Sequence, residues 1–71
     1  MKKMKVPFRI SLASARVNAG LTQDQVAGKM HKGKQTIINW EKGKTKIDSA
    51  NFVVLCKLYK IKPNYISLPK I

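Results

Sequence analysis

The sequence predicts an all-α domain built from five short helices. Apolar side chains recur at spacings of three and four through most of the chain, and residues that cap helices stand before several of these stretches. No segment of the sequence shows the alternation of apolar and polar residues that is typical of a half-buried strand. A chain of 71 residues can form one small domain around a single core.

The first helix is predicted to begin at Pro7, because proline suits the first turn of a helix. Apolar or small residues follow at spacings of four, three and four, namely Phe8, Leu12, Ala15 and Ala19. This helix should end near Gly20. We therefore expect a basic N-terminal arm over residues 1–7, a domain over residues 8–68 and a tail over residues 69–71.

The stretch LTQDQVAGKM carries the strongest local signal. Thr22 is a suitable N-cap, Gln25 can complete a capping box, and Leu21 before the cap can pack on Val26. These positions predict a second helix over about residues 23–30, which ends near His31.

The next stretch predicts a third helix over about residues 34–42. Ile37, Trp40 and Glu41 fall on one side at 100° steps, and Gly43 can supply the left-handed residue that ends the helix. The other side carries Lys34, Gln35, Ile38, Asn39 and Lys42.

Asp48 is the predicted N-cap of a fourth helix. Its apolar stripe is Phe52, Leu55, Cys56 and Tyr59. Pro63 begins a last short turn, whose Tyr65, Ile66 and Leu68 can close the core.

The net charge of the chain indicates which classes of molecule it can bind. The chain has 15 Lys and Arg residues against 3 acids, for a formal charge of +12, and such a field attracts polyanions. Nucleic acid is the leading expectation and an anionic membrane surface is the alternative. No apolar run approaches the roughly 20 residues of a membrane span, and no signal peptide follows the basic start, so we expect a cytoplasmic protein that does not enter membranes.

The sequence offers little for catalysis or metal binding. One cysteine and one histidine provide neither an internal disulfide nor a zinc site, and three scattered carboxylates form no acid/base pair. We expect no enzyme activity, no cofactor, no metal and no small-molecule ligand.

Two short helices joined by a three-residue connection describe a helix-turn-helix motif. The stretch TQDQVAGKMHKGKQTIINWEKGKTK resembles the phage repressor and Cro family, and the likeness covers roughly residues 9–67. The matching positions are Arg16, Leu21, Thr22, Gln23, Val26, Ala27, Ile37, Trp40, Glu41, Gly43 and Ile61. The chain departs from the family at three positions. Glycine is usual at the position of His31, a small or apolar residue at that of Lys32, and Ser or Thr at that of Gly33. The resemblance implies a compact five-helix, lambda-repressor-like fold and an XRE-like regulator.

The resemblance also implies functional roles for individual residues. Residues at the positions of Lys34, Gln35 and Asn39 face base edges in the family, and the residue at the position of Gln23 meets a phosphate. Ile38 could touch a thymine methyl group, or it could be an exposed apolar or packing residue. Phosphate contacts are expected from Thr36, Lys42, Lys44 and Lys46.

A structural ion pair between Arg16 and Glu41 follows from the same resemblance. Asp24 is assigned to the first turn of the second helix and Asp48 to an N-cap, so we expect no acid near the DNA face.

The resulting hypothesis is a transcriptional regulator that binds a palindromic DNA operator as a homodimer. Candidate dimer contacts are Tyr59, Ile61, Tyr65, Ile66, Leu68 and Ile71. Two alternatives stay open. An antitoxin of this fold would bind a partner protein as well as DNA, and a basic RNA or membrane-surface binder would need only charge.

Overall fold

The computed structural model describes residues 9–69, which hold four α-helices and one short 3₁₀ helix. They are α1 (Leu12–Asn18), α2 (Gln23–Met30), α3 (Lys34–Lys42), α4 (Ser49–Tyr59) and the 3₁₀ helix Pro63–Tyr65. The all-helical class is therefore confirmed, but the expected fifth helix is a single 3₁₀ turn. Most of the predicted arm and tail, with Pro7, Phe8 and Ile71, lies outside the described residues.

The prediction of one helix that continues from Pro7 to Gly20 is wrong, because residues 9–11 are not helical. The helix begins at Leu12, after Ser11, whose hydroxyl accepts a hydrogen bond from the Ser14 backbone N–H at 3.0 Å. Ile10 before it forms an isolated parallel bridge with Ile66, in which its N–H donates to the Tyr65 carbonyl at 2.8 Å. The Ile10 carbonyl accepts from the Ser67 N–H at 2.9 Å, so it is paired outside the helix and does not accept from the first turn of α1.

Local caps set the bounds of α2. The Thr22 hydroxyl accepts from the Gln25 N–H at 3.1 Å, and the Gln25 side chain accepts from the Thr22 N–H at 2.9 Å. This reciprocal capping box satisfies two of the N–H groups that a helix start leaves unpaired. At the other end, His31 takes the left-handed conformation with φ 57° and ψ 41° and ends the helix.

The third helix starts and ends differently. Gly33 provides no side-chain cap at its start, whereas Gly43, at φ 78°, supplies the left-handed residue at its end. Asp48 caps α4 through its carboxylate, which accepts from the Asn51 N–H at 3.2 Å and from the Asn51 amide at 2.6 Å. These hydrogen bonds from Asn51 lower the pKa of Asp48.

One apolar core joins all four helices. Its buried members are Leu12, Ala15, Val26, Ala27, Met30, Ile37, Trp40, Ile47, Leu55, Cys56, Tyr59 and Ile66. Tyr59 and Ile66 are only 6% and 5% exposed, so the expectation that they belong to a dimer interface is wrong. Tyr59 lies on the inner face of α4, and Ile66 is held inside by its bridge to Ile10.

Candidate nucleic-acid interface

The α2–turn–α3 unit is anchored in the core by both of its helices. Val26, Ala27 and Met30 of α2 and Ile37 and Trp40 of α3 are all buried. The chain reverses between them in residues 31–33, because His31 adopts the left-handed conformation. Since Ile37 and Trp40 fix the inner side of α3, its opposite side has a defined orientation toward solvent.

That opposite side of α3 is polar. Lys34 and Gln35 are exposed, and Ile38 and Asn39 are half-buried. The side-chain amide of Gln35 donates to Asn39 Oδ1 at 3.0 Å, one helical turn away. The structure therefore brings together the four residues that were predicted to contact bases.

An ion pair behind this face links α1 to α3. Arg16 Nε lies 2.7 Å from Glu41 Oε2, and the two side chains are only 15% and 7% exposed. A second guanidinium nitrogen donates to the other carboxylate oxygen at 3.4 Å, and a third interaction runs from Arg16 to the Leu21 carbonyl at 3.0 Å. The guanidinium thus joins α1 both to α3 and to the connection that precedes α2.

Gln23 takes part in the same network. Its side-chain amide donates to Glu41 Oε1 at 2.9 Å, which adds α2 to the linked helices. The side chain that was predicted to meet a phosphate is therefore hydrogen-bonded to a carboxylate. The first backbone N–H groups of α2, which have no intrahelical acceptors, are the donors better suited to an anion at this helix start. Sequence spacing gave no signal of this interaction, because it depends on how α2 packs on α3.

The other residues predicted to contact phosphates lie near the two ends of α3. Thr36 is half-buried in the first turn, where its N–H donates to the Gly33 carbonyl at 3.1 Å. Lys42, Lys44 and Lys46 are exposed around the last turn and the segment after it. The Lys44 N–H donates to the Asn39 carbonyl at 2.9 Å, so the chain just after the helix has a fixed position.

One acid lies closer to this face than the sequence indicated. Asp24 Oδ2 is 3.6 Å from Lys34 Nζ, with the two side chains 73% and 52% exposed, respectively. The expectation of a face without acids is therefore wrong, because Asp24 was assigned from its position in α2 alone. An exposed pair of this kind contributes little stability, but it partly neutralises Lys34 in the free protein.

Groups of metal ligands and long apolar helices are two further features that bear on function. Among residues 9–69, no three His, Cys, Asp or Glu side chains are grouped as metal ligands. Cys56 is a buried free thiol, and burial raises its pKa. None of the helices within this range has the length and apolar character needed to cross a bilayer.

Fold and surface together define a small all-helical domain with a helix-turn-helix motif, whose second helix presents a polar face to solvent. A family model described as a helix-turn-helix domain matches residues 10–67. The chain belongs to this XRE-like family of DNA-binding regulators. No curated protein matches the sequence.

Proposed function

We propose that this protein is a sequence-specific transcriptional regulator of the Cro and repressor type, which occupies a palindromic operator in double-stranded DNA as a homodimer. The observation that carries the proposal is the set of Lys34, Gln35 and Asn39 on the outer side of a helix braced by buried Ile37 and Trp40. Lys34 and Gln35 are exposed, and Asn39 is half-buried. A helix of this kind fits the major groove with its side chains against base edges.

The hydrogen bond between Gln35 and Asn39 supports base reading. It uses one N–H of the Gln35 amide, so the carbonyl oxygen and the second N–H of the same amide are available to pair with N6 and N7 of adenine. Lys34 suits O6 and N7 of guanine, and half-buried Ile38 beside it suits a thymine methyl group. We expect a half-site with both A·T and G·C pairs.

Phosphate contacts would supply much of the affinity. Lys42, Lys44 and Lys46 lie exposed next to the proposed reading face and can each neutralise a phosphate without selecting a sequence. Gln23 would act from the start of α2, where the backbone N–H groups favour an anion. Thr36 in the first turn of α3 would be a further phosphate contact. The +12 charge of the chain predicts strong salt dependence.

A homodimer would place two α3 helices about 34 Å apart on one side of the duplex. Of the candidate dimer contacts, Tyr65 and Leu68 are each 38% exposed and Ile61 is half-buried, so these three are available on the described surface. Sedimentation of the protein with its selected site tests this part of the proposal. A complex with one protein chain per palindrome would contradict it.

Selection of bound fragments from random duplex DNA is the decisive experiment. We expect a palindromic site with half-sites about 10 base pairs apart, centre to centre. The Gln35→Ala/Asn39→Ala double variant is the control, because it removes two of the four proposed base contacts and leaves every lysine in place. Enrichment of the same site by the double variant, or of no site by the natural protein, would contradict base reading by α3.

An antitoxin role is the second candidate function. It requires a protein-binding surface besides the DNA face, and α4 exposes two neighbouring valines, Val53 and Val54, which are 45% and 44% exposed. Co-purification of this chain with the product of an adjacent gene would favour the antitoxin. A purified protein that binds its operator and no such product would favour the simple regulator.

A further inference from the structure

A shallow groove of about 380 Å³ runs between the second half of α4 and the 3₁₀ helix. Its apolar surface comes from Val53, Ile61 and Pro63, with buried Cys56 beneath. Within the described chain, no residue of α2 or α3 lines this groove. The groove is therefore separate from the proposed DNA-reading helix.

Lysines surround the apolar surface of this groove. Lys57, Lys60 and Lys62 are all exposed and all contribute to the lining, and none of the lining residues is acidic. Val53 and Lys57 stand one turn apart on the same side of α4, and Lys60 is the left-handed residue that ends the helix. Between residues 9 and 69, none of these three lysines is in an ion pair.

From this combination we infer that the groove binds an acidic amphipathic helix of another protein. Apolar side chains of such a helix, at spacings of three and four, would cover Val53 and Ile61. Carboxylates beside them would pair with Lys57, Lys60 and Lys62 and specify the partner. The inference does not depend on base reading by α3, because the groove shares no residue with that helix. Ile61 is also one of the candidate dimer contacts, so the test includes the oligomeric state.

The charges of the chain argue against a second copy as the occupant. The whole sequence has 3 acids. Glu41 is paired with Arg16, Asp24 lies beside Lys34, and Asp48 caps α4. A second copy therefore has no acidic stripe to place against the lysines. A duplex could contact the lysines through phosphates, but it would gain nothing from the exposed Val53.

Fluorescence anisotropy with a labelled synthetic peptide tests the inference on the 71-residue chain. The peptide is a helix of about 18 residues with leucines at spacings of three and four and glutamates on both flanks. One control peptide has serine in place of the leucines, and another has lysine in place of the glutamates. We expect binding of the first peptide to be at least about tenfold tighter than binding of either control.

Matched protein variants locate the site. Val53→Ser should weaken peptide binding about fivefold, and Lys57→Glu/Lys60→Glu about tenfold or more. Val17→Ser and Lys29→Glu are the controls, because Val17 is 62% exposed on α1 and Lys29 is exposed on α2. Both should stay within about twofold of the unmodified protein, since neither residue touches the groove. Circular dichroism melting confirms that each variant is folded.

Three results would overturn the inference. The serine peptide could bind as tightly as the leucine peptide, which would mean that charge alone accounts for peptide binding. Val53→Ser could leave peptide binding unchanged. The groove variants could weaken binding to random duplex DNA, or abolish a homodimer in sedimentation, while leaving peptide binding unaffected. The last result would assign the groove to nucleic acid or to a second copy.

Discussion

Arg16 of α1 and Glu41 of α3 are joined by a 2.7 Å contact between Nε and Oε2. Glu41 lies on the proposed DNA-reading helix itself. Gln23 of α2 donates to the same carboxylate at 2.9 Å, so one acid connects three helices. The pair is nearly buried, with side-chain exposures of 15% and 7%. Its main contribution is to fix the position of α3, since a buried ion pair adds little net stability over apolar packing.

Glu41→Ala should destabilise the domain strongly. The substitution leaves the Arg16 guanidinium nearly buried without its carboxylate and removes the acceptor of the Gln23 amide. Loss of one partner of such a pair costs about 3 kcal/mol, which corresponds to a fall of about 12 to 24 °C in melting temperature for a domain of this size. Thermal unfolding followed by circular dichroism measures the change.

Asp24→Ala is the matched control for Glu41→Ala. Its ion pair with Lys34 is 3.6 Å long and exposed, so it should cost less than about 1 kcal/mol, including its interaction with the start of α2. Equal melting temperatures for the two variants would show that the Arg16–Glu41 pair does not hold the helices together.

Local signals in the sequence predicted much of this fold. The caps Thr22, Gly43 and Asp48 all act within a few residues of their own position, and they coincide with observed helix ends. The start of α1 was wrong because Ile10 pairs with Ile66, a residue far along the chain. Spacing within one segment carries no information about such a partner.

The same limit applies to the candidate site. The periodicity of α3 predicted correctly that Ile37 and Trp40 are buried, because the pattern lies within one helix. It could not show that Gln23 bonds to Glu41 or that Asp24 lies beside Lys34, since both contacts depend on the packing of α2 against α3. Roles in DNA contact stay predictions until binding is measured.

His31→Gly should stabilise the protein by about 0.5 to 1 kcal/mol. The left-handed backbone at φ 57° places the histidine Cβ against its own backbone, whereas glycine adopts this conformation without that cost. Denaturant unfolding, with the midpoint compared at a constant slope, measures the gain.

Gly20→Ala provides the reverse change for comparison with His31→Gly. Gly20 has φ 76°, and a Cβ built there meets no atom of the described residues within 4 Å, so the variant isolates the backbone cost. It should lose about 1 kcal/mol. A stabilised Gly20→Ala variant or a destabilised His31→Gly variant would contradict this account, in which a side chain at either left-handed position costs stability.

Tyr59→Phe should leave stability at neutral pH unchanged or raise it by up to about 1 kcal/mol. Tyr59 Oη is buried and has no hydrogen-bond partner among residues 9–69, so the hydroxyl loses its water contacts without replacement. Chemical unfolding at pH 7 measures the difference. A loss of more than about 1 kcal/mol would indicate that the hydroxyl has a hydrogen-bond partner after all.

Alkaline pH should destabilise the natural protein more than Tyr59→Phe. Burial, followed by the Glu41 charge, raises the pKa of Tyr59 to about 12 from 10.0. Between these values the unfolded chain loses the phenol proton and the folded protein keeps it, so stability falls as pH rises, by at most about 3 kcal/mol. Unfolding curves between pH 9 and pH 12 compare the two proteins. Identical slopes would contradict a buried, neutral Tyr59, because the two proteins differ only in this hydroxyl.

Gln35→Ala and Lys44→Ala should affect DNA binding in different ways. Gln35→Ala should cost about 1 to 3 kcal/mol on the selected site and relax the preference at one base pair, since Gln35 is proposed to read an adenine. Lys44→Ala should weaken selected and random duplexes alike and reduce the slope of log K against log salt by about one, because it removes a phosphate contact. Titrations of both duplexes at several salt concentrations measure these quantities. If both variants lost the same affinity on both duplexes, the separation of base reading from phosphate binding along α3 would be wrong.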